Sequence, residues 1–421
     1  MPVAATSTAA IARRLTLVLV LAALVALAVV PAIAAAKGAV LTLKTVEVGA
    51  PGNPSVAIVP FTDAVYRSCS EAPAESSECL NVGGVKYRYG IGQLEITVAQ
   101  WVAFLNTADP SGKDPHHLYD SAQSGAAWPQ LGQVDSRAKA KPGHHYSVAA
   151  PEWADKPFGF ATFVRAARFV NSLYNGRLLA KHASGEGAFH YVTYRVRLSK
   201  RTESGMYDFG RGGGKGPTRA HATGFVLPSQ NEWIKAAYYD PSGGGTYSYW
   251  KYPTNPGVFG DGAATAPAPT MLNATNGDVT NAATQPLATY HAQGLAAPSW
   301  CPAPARPVES CSTANPFGID PITYAEIFQG SLSTVGEAKT TSPWGTLDQG
   351  GNVVEWTDTI TASPTPGDKR PWRRLHGGIA NAPAYQLWLS AVGLQPQSNA
   401  AISAVYPWIG LRVGVLGNLK P

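Results

Sequence analysis

The stretch GTLDQGGNVVEWTDT, Gly345 to Thr359, sets Asp348 and Glu355 seven residues apart, on either side of Gly350-Gly351 and Asn352, just ahead of Trp356. Glycine enters left-handed turns without a Cβ clash, so the chain can fold back on itself here. Two carboxylates flanking such a turn support two readings. They can tie the loop down by accepting backbone N–H bonds, or they can join inward-turned carbonyls in an oxygen cradle for a hard cation such as Ca²⁺.

Outward from this loop the chain alternates short helical and β-prone runs. In TVAQWVAFLN, Thr97 is the expected N-cap, and Val98, Trp101, Val102 and Leu105 recur on one face. In TFVRAARFVNSLYNG, Phe163, Ala166, Ala167, Val170, Leu173 and Tyr174 repeat the pattern, with Asn175-Gly176 as a left-handed stop. In SQNEWIKAAYYDP, Ser229 and Glu232 form a capping box, Trp233, Ala236 and Ala237 face inward, and Pro241 follows. KYRYGIGQLEIT, FHYVTYRVRL and WIGLRVGV read as strands. The segments near 107–150, 199–222 and 261–329 lack apolar periodicity and read as surface insertions in one α+β domain spanning 35–421.

The N-terminus addresses the compartment. Arg13-Arg14 precede the apolar run LTLVLVLAALVALAVV and then PAIAAA, so residues 1–34 read as a signal peptide, with an uncleaved anchor as the alternative. A secreted or periplasmic location follows. Without the leader the formal charge falls from +6 to about +4, too mild to imply a nucleic-acid partner. The charged fraction of 14% beside 43 Gly, 34 Pro and 11 Trp suits a loop-rich exported fold. Cys69 and Cys79, and Cys301 and Cys311, each enclose nine residues, which in an exported chain reads as two local disulfides; neither pair has zinc-ligand spacing.

YRYGIGQLEITVAQWVAFLN, DKPFGFATFVRAARFVNSLYNG, FVLPSQNEWIKAAYYDPSGGG, GTLDQGGNVVEWTD, LHGGI and IGLRVGV occur in an order that resembles the formylglycine-generating enzyme (sulfatase-modifying factor) family, over about Thr45 to Val415. The opening KTVEVGAPGNP looks most like its secreted bacterial branch. The resemblance implies a C-type-lectin-like α+β fold with little regular secondary structure, a calcium loop and a cleft in the C-terminal third. Carried over, the calcium ligands fall on Asp348, Gly351, Val353 and Glu355.

The enzymatic part of the resemblance breaks down. Counted from Gly377-Gly378, the two cysteines that bind copper in the family's oxidases fall on Ala382 and Leu387. Neither side chain ligates a soft metal, so copper is not expected. His376 stands where the family has arginine, Ile379 where it has serine, and Val354 where it has the first tryptophan of its WEW signature. The expectation is therefore a calcium-stabilised binding protein, holding a protein, peptide or glycan in a cleft that includes His376, Trp388, Tyr406 and Trp408. The alternative is a metal-dependent oxidase of the formylglycine-generating or non-haem iron superfamily, acting on a cysteine or thiol with a rearranged ligand set. Glu95 and Arg412 are expected to be buried with ionic or hydrogen-bonding partners.

Overall fold

Thr97, Thr162 and Ser229 each begin a helix in the computed structural model. It describes residues 38–58, 80–124, 132–210, 216–243, 248–258, 265–273, 278–282, 286–290, 332–363, 366–380, 384–389, 391 and 399–421. Helix α1 is Val98–Ala108, α2 Phe163–Tyr174 and α3 Gln230–Tyr238. The Thr97 hydroxyl accepts the Gln100 N–H at 3.2 Å, and the Gln100 side chain accepts the Thr97 N–H at 3.0 Å. Ser229 and Glu232 close the same box at 3.2 and 2.6 Å. Such caps satisfy N–H groups that the helix itself leaves unpaired, and each contributes about 1 kcal/mol.

The larger sheet has six antiparallel strands. In chain order these are β1 (Val40–Val48), β2 (Tyr89–Gly92), β3 (Arg177–Glu186), β4 (Phe189–Arg197), β5 (Gly224–Val226) and β10 (Gly414–Leu416), arranged β3-β4-β1-β2-β10-β5. A second sheet holds β6 (Val354–Thr361), β7 (Trp372–His376), β8 (Asn399–Ala401) and β9 (Ile409–Gly410) in the order β8-β7-β6-β9. Its β6–β9 pair is parallel and the others are antiparallel.

Strand β1 shows why the sheet has one dry face: Leu41 and Leu43 are buried while Val40 and Thr42 are exposed, the period of two that a pleated strand imposes. Trp101 of α1 anchors the core beneath it. It is fully buried, stacked on Phe158 at 4.2 Å and on Phe169 of α2 at 5.7 Å, with Phe104 edge-on at 5.1 Å. A smaller cluster gathers Trp233, Ile234, Ala237 and Tyr238 of α3 around Tyr249 and Leu389.

The secondary structure and core depart from the sequence reading in two places. Asn175 at the end of α2 is not left-handed (φ −79°); its amide instead donates to the Arg201 and Ser204 carbonyls at 3.0 and 2.6 Å. Gly176 is required there because a Cβ would stand 2.4 Å from the Arg197 carbonyl oxygen. The segments near 107–150 and 199–222 are not merely surface insertions, since Leu118, Val134, Tyr146, Met206 and Tyr207 join the main core. Side-chain bonds organise their irregular backbone, so no periodicity announces it. Asp109 accepts from the Asp114 N–H at 2.8 Å and the Tyr146 hydroxyl at 2.6 Å, and Asn171 donates to the Thr202 and Tyr207 carbonyls at 2.7 and 2.6 Å.

Residues 1–37, Cys69, Cys79, Cys301, Cys311 and most of 261–329 lie outside the described residues. Among the described residues no helix is long and apolar enough to cross a membrane.

Candidate functional site

Strand β6 carries the Val354-Glu355-Trp356 run into the interior between two partners. Glu355 lies opposite His376 of β7 on one side and Gly410 of β9 on the other. Two residues beyond Gly410, Arg412 reaches the Glu355 carboxylate. Its Nε donates at 2.9 and 2.8 Å and its Nη2 at 2.7 Å, while Trp233 Nε1 of α3 donates at 2.7 Å. The remaining Arg412 N–H groups go to the carbonyls of Gly92, Gln93 and Leu347 at 2.8, 3.0 and 2.9 Å. All five donors of the guanidinium are thus used, at a residue with no exposure.

The preceding turn is more strained than its glycine pair suggests. Asp348 and Asn352 as well as Gly351 take positive φ, at 57°, 61° and 90°; Asn and Asp tolerate this region better than other side chains. Gly351 packs against Thr289, whose carbonyl oxygen would lie 1.9 Å from an added Cβ. The Asn352 N–H donates to that carbonyl at 2.8 Å, and its side-chain amide donates to Glu95 at 3.0 Å. Asp348 accepts from the Gly336 N–H.

Glu95, Asp348 and Glu355 are therefore three buried carboxylates grouped around one guanidinium. Burial, with Asp348 and Glu355 nearby, pushes the Glu95 carboxyl well above the usual range. Asp348 is pushed up to about 6, mainly by burial.

Calcium gathers six to eight oxygens around one point. Of the expected set Asp348, Gly351, Val353 and Glu355, one carboxylate is fully engaged by Arg412 and Trp233, and the other is turned to the Gly336 N–H. Among the described residues no group of three or more His, Cys, Asp or Glu is placed to hold a metal. As arranged, the Glu355 oxygens are occupied by Arg412 and Trp233, so this carboxylate offers no free oxygen to Ca²⁺. The positive charge beside Glu355 comes from Arg412, and the loop is tied by hydrogen bonds.

The four residues expected to share a cleft fall into three surroundings. His376 is buried and stacked on Trp233 at 5.2 Å; burial, and secondarily Arg374, lowers its pKa to about 3, so the imidazole is neutral. Trp388 lies under Lys251 (4.7 Å) and edge-on to Tyr252 (6.5 Å). Tyr406 and Trp408 stack on each other at 5.0 Å against the main core. Leu387 is fully buried, packs with Tyr252 and Ala288, and places its Cδ2 2.9 Å from where a Cβ on Gly378 would sit. Ala382 lies outside the described residues.

A cavity of about 540 Å³ opens elsewhere, in the region read as the first insertion, lined by Tyr119, Ser124, Asp135, Arg137, Glu152 and Trp153 among others. Periodicity gave no hint of it, because its walls are Tyr119 and Ser124, the short strand 134–136 with its flanks, and the single turn at 151–153 with the two residues before it. A second buried network was legible only in part. Arg219 donates to both Glu232 oxygens, at 2.9 and 2.6 Å, and pairs through Nε with Asp358. Asp358 also accepts from the Tyr207 hydroxyl at 3.2 Å. The capping box announced Glu232, while nothing in the sequence linked it to Arg219 or Asp358.

Three solved structures are similar over most of their length. They are Treponema denticola variable protein 1 (15% identity, 89% of this chain and 95% of that one, TM-score 0.40), CarF (14%, 90% and 100%, 0.40) and PvdO from Pseudomonas aeruginosa (12%, 90% and 98%, 0.37). No curated protein matches the chain. The family model described as the sulfatase-modifying factor enzyme 1-like domain matches residues 84–412, which include Glu95, Trp233, Glu355, His376 and Arg412. With few helices, many strands and that match over most of its length, this chain belongs to the sulfatase-modifying factor enzyme 1-like family.

Proposed function

We propose that this chain is an exported, non-oxidising member of its family that binds a polar ligand, a glycan or a peptide. The observation that carries the reading is Leu387: where the resemblance places a metal-binding cysteine, a buried isobutyl group fills the space against Gly378. Ile379 and Val354, both buried, make the neighbourhood more aliphatic still. An apolar group cannot hold a cuprous ion or take a substrate thiolate into a shared coordination sphere.

For binding, the cavity at Tyr119, Asp135, Arg137, Glu152 and Trp153 has suitable chemistry. Aromatic faces take the apolar face of a sugar or a peptide side chain, and carboxylate and guanidinium groups fix hydroxyls or amides. We prefer this site to the cleft expected around His376, because His376 is buried against Trp233 and Trp388 lies under Lys251.

Two measurements test the proposal. The purified protein is incubated with copper, oxygen and a peptide carrying a sulfatase-type cysteine, and the aldehyde is sought by mass spectrometry; turnover with intact disulfides would overturn the non-oxidising reading. Binding is screened on glycan and peptide arrays with wild type and Trp153→Ala. The variant should lose at least about tenfold in affinity for any hit, as expected when a stacking aromatic is truncated. Hits that bind the variant equally well would move the site elsewhere.

A further inference from the structure

The outer face of the large sheet carries arginines that have no acidic partner among the described residues. Across β3, β4 and β1, one row reads Arg177, Arg197, Val40, the next Ala180, Arg195, Thr42, and the third His182, Thr193, Lys44. Alternation puts these residues on one side of the pleat. That side faces solvent: Arg177, His182, Arg195, Val40 and Thr42 are exposed, while the intervening Leu41, Leu43, Tyr194 and Val196 are buried. Exposed Lys200 and Arg201 continue the positive charge just past β4.

Among the described residues Arg177, Arg195 and Arg197 form no ion pair, and only Lys44, in the third row, reaches a carboxylate, Glu186 at 3.7 Å. Like charges directly opposite on neighbouring strands are destabilising. Arg177 and Arg197 are such a pair, and the packing of the buried face does not require them.

We propose that this face lies against an anionic phospholipid surface. Two observations select that occupant. The arginines are spread over one strand face among Val40, Thr42 and Ala180, in successive cross-strand rows and not around a single point. The apolar run Leu15–Val30 also reads as an export signal, which brings the chain to a membrane surface. Basic side chains within a Debye length, about 10 Å, of an anionic leaflet are each attracted by about a factor of five.

The test is cosedimentation of the full chain with vesicles of pure phosphatidylcholine and with vesicles about one-third phosphatidylglycerol. Because the leader is the same in every variant, its contribution cancels. Arg177→Gln/Arg195→Gln/Arg197→Gln should lower the phosphatidylglycerol-over-phosphatidylcholine partition ratio about a hundredfold. Adding salt to about 0.5 M should remove most of the preference from the wild type.

The lysine version, Arg177→Lys/Arg195→Lys/Arg197→Lys, should keep the ratio. Lys139→Gln/Lys141→Gln, which removes exposed charge elsewhere, should change it less than about twofold. The proposal is overturned if the glutamine triple variant keeps the wild-type ratio, if the lysine variant loses it, or if the Lys139/Lys141 pair loses as much as the triple variant.

Discussion

Arg412 and Glu355, 57 residues apart in sequence, form an ion pair in which both carboxylate oxygens and three guanidinium contacts lie between 2.7 and 2.9 Å, with neither side chain reaching solvent. The pair joins the end of β9 to the start of β6, and through Gly92, Gln93 and Leu347 it joins the second sheet to β2 and to the loop before Asp348. Removing one member leaves a buried charge without its partner, which is the costly way to break such a pair.

Arg412→Met should therefore lower stability by about 3–5 kcal/mol in urea denaturation. Arg412→Met/Glu355→Gln should recover part of that loss, because the orphaned carboxylate goes with it. A double-variant cycle with no coupling would show that the contacts are geometrically close but energetically independent.

Metal dependence follows from the same geometry. With Arg412 beside Glu355, chelation by EDTA should leave the wild-type melting temperature unchanged. A drop in the wild-type midpoint on chelation, restored by Ca²⁺, would mean that the loop holds calcium after all.

The two glycines of the Asp348 loop should respond differently to alanine. Gly351 has φ 90° and the Thr289 carbonyl oxygen 1.9 Å from an added Cβ, so Gly351→Ala should cost about 2–4 kcal/mol. The first neighbour of a Cβ on Gly350 is Pro253 Cγ at 3.3 Å, and Gly350 has no positive φ, so Gly350→Ala should cost less than about 1 kcal/mol. Equal losses would contradict the turn geometry.

Asp358 gives a pH dependence of fixed sign. Burial, together with Glu232 across the shared Arg219, pushes its pKa from 3.8 up to about 6. The folded state then binds a proton more tightly than the unfolded chain between those values, so stability falls as pH rises from about 4 to about 6 and levels off above. Asp348, also pushed up to about 6, adds to the same slope. Urea midpoints across this window should fall less steeply in Asp358→Asn than in the wild type. An unchanged slope would assign the titration to other groups.

Much of the fold was legible because its signals are local. Thr97, Ser229 and Glu232 cap their helices as read, and Trp101, Trp233, Ala236 and Ala237 are fully buried, since a cap bonds two or three residues away and a helix face repeats every three or four. The motif order around GN-x-x-EW was enough to place the family, and the need for glycine at 351 was visible in the same words. What the sequence left undecided was the use of each charge. Asp348 and Glu355 near a tight turn suit calcium or a hydrogen-bonded loop, and whether the Glu355 oxygens are free depends on Arg412, which only the β6–β9 register delivers to Glu355. The same limit hid the pairing of Arg219 with Asp358, the burial of Tyr146 and Tyr207 in segments without periodicity, and the separation of His376, Trp388 and Trp408 into different packing clusters. Local propensity acts through neighbours along the chain, whereas a buried charge is decided by whichever distant group the assembled sheets bring within hydrogen-bonding range.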